Sequence, residues 1–326
     1  MEKINWGIIG CGNVTEVKSG PAFNKVENSS LVGVSRRDKE KLADYVKRHQ
    51  VLLGFTNSLD LIQSDKINAI YIATPPDVRE AYAMKAMQLG KPVYLEKPMA
   101  LDLAACKRLQ KASEELGVKL SVAHYRRHLP LFQEVKKILD QGIIGEVKEL
   151  GINMLKKTNL AANDPNNWRI DPSIAGGGYF YDLAPHQIDL IFYFLGNGLK
   201  SYTGSSKNKA GIYAAEDFVE GVIEMENGII CKGLWDFSIM DQEEKDEFLI
   251  IGTKGTIRFP VFGLSIELEV NGVKNTIQFE APKHNQQNHI QQVVNYFLDK
   301  GENPCSAADA ILSMQVMEAF VYGNKI

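Results

Sequence analysis

The sequence predicts an α/β protein of two domains: a doubly wound parallel sheet first, then an α+β domain with a large, mostly antiparallel open sheet. Three observations predict it. Residues 1–123 alternate short aliphatic runs with amphipathic segments. A glycine turn, Gly10-Cys11-Gly12, directly follows the first of those runs. From Tyr202 onward the alternation gives way to a series of strand-like runs, and Asn227-Gly228 and Asn271-Gly272 sit between neighbouring members.

In the first part, strands are predicted at Ile4–Ile9, 31–35, 69–73, 93–96 and 120–123. Each is brief and aliphatic, as strands covered on both faces should be. Asp38 is placed to cap a helix running to about residue 49, and Ser58 to cap a short one. The helical segments 78–89 and 102–116 stop at Gly90 and Gly117, which suit a left-handed C-terminal residue. Repeated strand–helix alternation requires right-handed crossovers, hence a parallel sheet. In the second part, 131–141 and Gly178–Leu195 read as helices. Strands follow at Phe218–Met225, 229–237, 248–251, 256–259, 264–270 and 273–279, and the Asn-Gly pairs are strong hairpin signals. Helices at 289–300 and Ala307–Tyr322 close the chain. The expected domains are 1–123 and 124–326, with the last helix free to pack back on the first.

The length of 326 residues is itself a two-domain length, and 44% apolar with 24% charged residues describes a globular chain. Lysine and arginine number 37 against 40 acids, so the net charge of −3 leaves no footprint for nucleic acid and no polybasic run for a membrane surface. The four cysteines, Cys11, Cys106, Cys231 and Cys305, form no C-x-x-C pair, so no metal site is expected. Scattered thiols fit a reducing compartment. The first apolar run is too short for a signal-peptide core, and no run reaches the roughly 18 apolar residues of a membrane span. The cytoplasm is the expected location.

In Gly10-Cys11-Gly12-Asn13-Val14, Gly10 permits a tight turn and Gly12 lets the backbone approach a pyrophosphate. The amides that follow point at the anion. A glycine pair is a weak signal alone, but this one opens the first strand-to-helix turn of a predicted parallel sheet, where a Rossmann domain binds its dinucleotide. Thr15 stands where a third glycine is usual. Lys18-Ser19-Gly20-Pro21 should end the first helix and start another, leaving Lys18 to face either the cleft or solvent. At the end of the second strand, an NAD-specific site wants an acid for the ribose. This chain has Ser35, Arg36 and Arg37, which favours NADP over NAD because a hydroxyl and guanidinium groups suit a 2′-phosphate. Two surface arginines before a helix cap are the alternative.

Strand ends at the carboxyl edge of a parallel sheet line the ligand crevice. Thr74 and Pro75 leave one strand; Glu96 and Lys97, followed by Pro98, leave the next. Lys97 is either poised to donate to a substrate oxygen, where it supports developing alkoxide charge, or is half of an exposed Glu-Lys pair. Asp182, His186 and Asp189, after Gly176-Gly177-Gly178, share one helix face by their spacing. A carboxylate beside an imidazole suits a proton acceptor for an alcohol, and equally suits a satisfied core histidine.

Together, Gly10-Cys11-Gly12-Asn13, Thr74-Pro75-Pro76, Glu96-Lys97-Pro98 and Asp182/His186/Asp189 resemble the glucose–fructose oxidoreductase / inositol dehydrogenase / rhizopine-catabolism (Gfo/Idh/MocA) family over essentially the whole chain. The resemblance implies an NAD(P)-dependent dehydrogenase or reductase acting on a sugar or polyol. In that reading Lys97 and His186 sit beside the nicotinamide, Asp182 contacts substrate hydroxyls, and the Lys97–Pro98 bond is cis. Tyr125, Arg126, Trp168 and Arg169 stand where relatives shape the substrate pocket. Two departures are visible: Ala184-Pro185 replaces a glycine before His186 and should bend the helix, and Arg79 stands where a histidine is usual. The fold also admits a redox-neutral glycosidase using the nicotinamide transiently, or a non-catalytic sugar or dinucleotide sensor. An open sheet face predicts a homodimer or homotetramer.

Overall fold

Short aliphatic runs flanked by capped helices build the first sheet. The computed structural model describes residues 2–158, 160–164, 167–240 and 244–323. Six strands, β1 (Ile4–Ile9), β2 (Ser29–Ser35), β3 (Leu53–Phe55), β4 (Ala69–Ile72), β5 (Val93–Leu95) and β6 (Leu120–Val122), lie in the order β3-β2-β1-β4-β5-β6. Every pairing is parallel. The order reverses between β1 and β4, so the crevice for a ligand opens outside the ends of those two strands. All residues of β4 and β5 are buried, which explains their uninterrupted apolar runs.

The connecting helices are α1 (Asn13–Val17), α2 (Lys39–His49), α3 (Ser58–Gln63), α4 (Arg79–Gln88) and α5 (Leu103–Leu116). Asp38 caps α2 by accepting from the Lys41 amide at 3.0 Å, and Asp102 caps α5 through the Ala105 amide at 2.7 Å. At α3 the cap is Asn57, one residue before the expected Ser58; its Oδ1 takes the Leu59 amide at 3.0 Å. The Ser58 hydroxyl instead meets Ser35.

The second sheet has eight strands. After α6 (Pro130–Asp140) come β7 (Val147–Lys157), α7 (Pro172–Ala175) and α8 (Gly178–Leu195). Then follow β8 (Leu199–Lys207), β9 (Phe218–Met225), β10 (Ile230–Ile239), β11 (Lys245–Gly252), β12 (Gly255–Phe259), β13 (Ser265–Val270), β14 (Val273–Gln278), α9 (Gln287–Phe297) and α10 (Ala307–Tyr322). The sheet order is β14-β13-β12-β11-β7-β10-β9-β8. All its pairings are antiparallel except β7 with β10. The sequence reading assigns nothing to β7, although it lies in the middle of the sheet. Its signal is only Leu150, Ile152 and Met154 facing the core, separated by Gly151 and Asn153. The Asn271-Gly272 hairpin is a two-residue turn with positive φ at both residues (50° and 81°), joining paired Val270 and Val273. Asn227-Gly228 also closes a hairpin, but as a longer loop with only Gly228 left-handed. The helix expected to bend at Pro185 runs unbroken from Gly178 to Leu195.

By compactness the chain forms one unit from Met1–Leu129 and Pro282–Ile311, and another from Pro130–Ala281 and Leu312–Ile326. The chain therefore re-enters its first unit after a single pass through the second, a return that a division at residue 123 does not contain. The reason is α9: Ile290, Val293, Val294 and Phe297 recur at helical spacing and are buried with Trp6, Phe23 and Tyr94. Each such side chain contributes roughly 1.5–3 kcal/mol. The core of the second unit includes Trp235 against Phe180 (ring centroids 5.1 Å apart) and Phe248 stacked on Phe259 (4.9 Å). Paired Gly204 and Gly221 leave room for the Phe320 ring of α10, which a Cβ at either would strike. Among the described residues, no helix is long and apolar enough to cross a membrane.

Candidate functional site

At the end of β1, Gly10 has φ +88°, and a Cβ there would lie 3.0 Å from the Thr74 methyl. Only glycine lets the turns after β1 and β4 pack this closely. Gly12 is the opposite case: a Cβ would have no neighbour nearer than the Gly10 oxygen at 4.0 Å, so the space over the turn is open. The first amides of α1, those of Asn13 and Val14, have no acceptor within the helix. Thr15, in the place of the third glycine, is fully buried and donates its hydroxyl to the Gly12 carbonyl at 2.8 Å. Cys11 is fully buried too, and burial pushes its thiol up to about 11.

At the end of β2, Ser35 is 1% exposed and its Oγ lies 3.0 Å from Ser58 Oγ. Arg36 lays its guanidinium over the glycine turn, donating from Nη1 to the Cys11 carbonyl at 2.9 Å. Arg37 is exposed. The next acid, Asp38, uses its carboxylate on the α2 cap.

The ends of β4 and β5 are tied from below. Lys97 is half-buried, and the Lys97–Pro98 bond is cis. Glu96 turns its side chain into the core: it is 4% exposed, and Oε1 accepts from the Tyr71 hydroxyl at 2.6 Å and from Gln286 Nε2 at 2.5 Å. Its Oε2 takes the Lys97 amide at 3.2 Å. Tyr94 donates to Gln286 Oε1 at 3.1 Å. Burial, reinforced by the Glu96 charge, pushes the phenols of Tyr71 and Tyr94 well up. The Thr74 hydroxyl is buried without a partner. Arg79, 4% exposed, donates to the carbonyls of Thr74, Glu96 and Pro98. Lys18 is exposed, and its carbonyl takes the Gln286 amide at 3.1 Å. Tyr125 is 5% exposed, with the Arg126 guanidinium 5.7 Å from its ring centroid.

In the second unit, Gly176 and Gly178 have positive φ (90° and 62°) at the start of α8, which carries Asp182, His186 and Asp189. A Cβ on Gly178 would come within 2.8 Å of Ala215. Asp182 Oδ2 accepts from Arg169 Nε at 2.9 Å, and the Arg169 guanidinium lies 4.5 Å from the Trp168 ring centroid. Asn167 positions this short turn, accepting from the Arg169 amide and donating to the Tyr179 hydroxyl. His186 is buried, with its ring edge-on to Phe262 at 5.6 Å.

Comparison with known proteins places both units. Residues 4–124 match the oxidoreductase family with an NAD-binding Rossmann fold, and residues 132–258 match the Gfo/Idh/MocA C-terminal domain. The chain is 45% identical over 320 residues, 98% of its own length and 98% of the relative's, to Oxidoreductase P35 of Formosa agariphila. The protein belongs to the Gfo/Idh/MocA oxidoreductase family. It is also 26% identical to inositol 2-dehydrogenase 2 of Saccharopolyspora erythraea, over 70% of this chain and 65% of that protein. Its fold matches a levoglucosan dehydrogenase solved with NADH and L-sorbose, at a TM-score of 0.88 and 20% identity over 98% and 96% of the two chains.

A Gfo/Idh/MocA protein is an NAD(P)-dependent oxidoreductase, and the residues present fit that cofactor. The open space over Gly12, the unpaired amides of Asn13 and Val14, and the buried Thr74 hydroxyl lie at one edge of one sheet. Thus Gly10, Gly12, Asn13, Val14, Arg36, Thr74, Pro75 and Lys97 are carried by neighbouring strand ends of the first unit, while Trp168, Arg169 and Asp182 come together in the second. Ser35 and Glu96 have side chains engaged inward. The sequence reading missed Tyr71 and Gln286, and noted Arg79 only as a departure. A buried tyrosine on a strand carries no local signal for the acid it will meet.

Proposed function

We propose that the protein transfers a hydride between NADP(H), or less favourably NAD(H), and a hydroxyl-bearing carbon of a sugar or polyol. The observation that carries this reading is the half-buried Lys97 at the end of β5, one strand from the switch point beside which the Gly10–Gly12 turn opens. A bound nicotinamide supplies the carbon that accepts or gives the hydride. Lys97 donates to the reacting oxygen and stabilises alkoxide character. His186 takes or returns the hydroxyl proton. Asp182, held by Arg169 beside Trp168, receives neighbouring substrate hydroxyls. The names of the inositol and levoglucosan dehydrogenase relatives support a polyhydroxylated substrate. The preference for NADP rests on Arg36 and Arg37, since the Ser35 hydroxyl is already engaged.

The experiment is a panel of sugars, polyols and glycosides with each cofactor, reading reduced nicotinamide by absorbance and products by chromatography. Turnover that is lost in Lys97→Met and His186→Asn, with cofactor binding intact, supports the assignment. Undiminished turnover in either variant removes that residue from the mechanism, and glycoside cleavage without net reduction replaces the dehydrogenase reading with a redox-neutral one. We further infer a homodimer or homotetramer through the open face of the second sheet. There Val222, Leu234 and Leu249 are only half-buried. A monomer in sedimentation at micromolar concentration rules this out.

A further inference from the structure

The two turns that flank the crevice, Thr74-Pro75-Pro76 and Glu96-Lys97-Pro98, are rich in a residue that has no amide. Their carbonyls therefore have few local donors, and a buried carbonyl left without one is destabilising. The donor comes from Arg79, the first residue of α4, whose side chain is buried beneath both turns. Its Nε and Nη2 donate to the Thr74 carbonyl at 2.8 and 2.6 Å. Its Nη1 donates to the Glu96 carbonyl at 2.8 Å and to that of Pro98. One nitrogen thus bridges residues 96 and 98, the two neighbours of Lys97.

We propose that Arg79 is the positioning residue of Lys97: its guanidinium fork clamps the carbonyls of both neighbours of that lysine to the Thr74 turn, and so fixes where the ammonium points. This rests on the reading of Lys97 as the donor to the substrate oxygen. The planar fork matters. Lysine presents its donors from one atom and histidine from two, whereas the clamp needs donors directed to carbonyls on two separate turns. The backbone of Lys97 has a second fixed point, the bond from its amide to Glu96 Oε2 at 3.2 Å, but that bond does not reach the Thr74 turn. The Tyr71 hydroxyl joins β4 to the Glu96 carboxylate, but among the bonds described it is Arg79 that donates to the backbone carbonyls of both turns. Misplacing a catalytic group by about 1 Å costs on the order of a hundredfold in rate.

The test uses the full chain and its Arg79→Lys and Arg79→Met variants, with two readouts. The first needs no substrate: trace acetylation of Lys97, followed by mass spectrometry with and without saturating NADPH. In the parent chain, bound NADPH shields Lys97. In the variants NADPH still binds, by nicotinamide fluorescence, but the shielding is lost, and guanidinium ion at a non-denaturing concentration restores it. The second is the kinetic split: kcat falls on the order of a hundredfold while KM for the cofactor is nearly unchanged. Should Arg79→Met fail to fold, Arg79→Lys, which keeps the buried charge but not the fork, carries the test. Full shielding and parental kcat in Arg79→Lys overturn the proposal. Absence of shielding in the parent chain overturns the placement of Lys97 itself, and with it the inference, which is a different failure.

Discussion

Gln286 reaches back across 190 residues of sequence to donate its side-chain amide to Glu96 at 2.5 Å. The same glutamine gives its backbone amide to the Lys18 carbonyl, just beyond α1. One residue of the returning segment therefore pins both the base of the Glu96-Lys97-Pro98 turn and the helix behind the glycine turn. The neighbouring His284 adds a bond from Nδ1 to the Val17 carbonyl at 2.6 Å.

Removing that link leaves a buried carboxylate short of a donor. Gln286→Leu is expected to lower unfolding stability by about 1.5–3 kcal/mol, the worth of a hydrogen bond to a charged group. Urea unfolding measures it. A loss below the error of the method means that the Tyr71 hydroxyl and the Lys97 amide, or water, satisfy Glu96 without it.

A second link holds α1 to α2. Glu16 accepts from Arg48 at 2.8 and 2.9 Å and lies 2.9 Å from His49 Nε2. The Arg48 hydrogen bonds, with His49 adding, hold the Glu16 carboxyl down from 4.5 to about 2. A carboxyl depressed in the folded state contributes stability above its unfolded value, and that stability is lost as pH falls through the folded one. The parent chain should therefore lose stability between about pH 4.5 and 2 more steeply than Glu16→Gln. Parallel acid curves for the two proteins contradict the assignment.

Buried thiols give a third check. Burial raises Cys11 to about 11 and Cys231 to about 12, and all four cysteines are buried. The thiolate is the reactive form. No cysteine should react with a thiol reagent in the native protein near neutral pH, and all four should react in denaturant. Native labelling of Cys11 would mean that the glycine turn opens on its own.

How much of this was legible beforehand follows from where the information lies. The parallel sheet is written in local patterns: aliphatic runs, the Asp38 cap, and left-handed Gly117. The central strand β7 is not, because Gly151 and Asn153 interrupt its apolar alternation and its place depends on partners about 80 and 100 residues away, such as Cys231 for Leu150 and Leu249 for Gly151. At the site, Gly10, Gly12 and Lys97 announce themselves by residue type and position. The inward turn of Glu96 depends on Tyr71 and Gln286, which no short motif connects. The spacing of Asp182 and His186 on one helix is equally local, whereas the Arg169 that donates to Asp182 sits on a separate turn and leaves no such mark in the sequence.

The two glycines of the phosphate turn separate folding from binding. At Gly10 the backbone is left-handed, and an added Cβ meets Thr74 at 3.0 Å, its backbone nitrogen at 3.1 Å and the Ala73 carbonyl carbon at 3.2 Å. Much of that contact is backbone and has little freedom to move, so Gly10→Ala should cost about 1–3 kcal/mol of stability. At Gly12, φ is −117°, a value open to any residue, and an added Cβ meets nothing nearer than 4.0 Å. Gly12→Ala should therefore melt with the parent chain. Its methyl, however, projects into the space a pyrophosphate needs, and should weaken binding of NADPH and NADH alike. Thermal melting and nicotinamide fluorescence separate the two effects. Arg36→Ala supplies the contrast, because a lost charge-assisted bond to a 2′-phosphate weakens NADPH by roughly tenfold or more and NADH far less. If Gly12→Ala binds both cofactors as tightly as the parent chain does, the dinucleotide does not cross this turn, and the role given to the amides of Asn13 and Val14 fails with it.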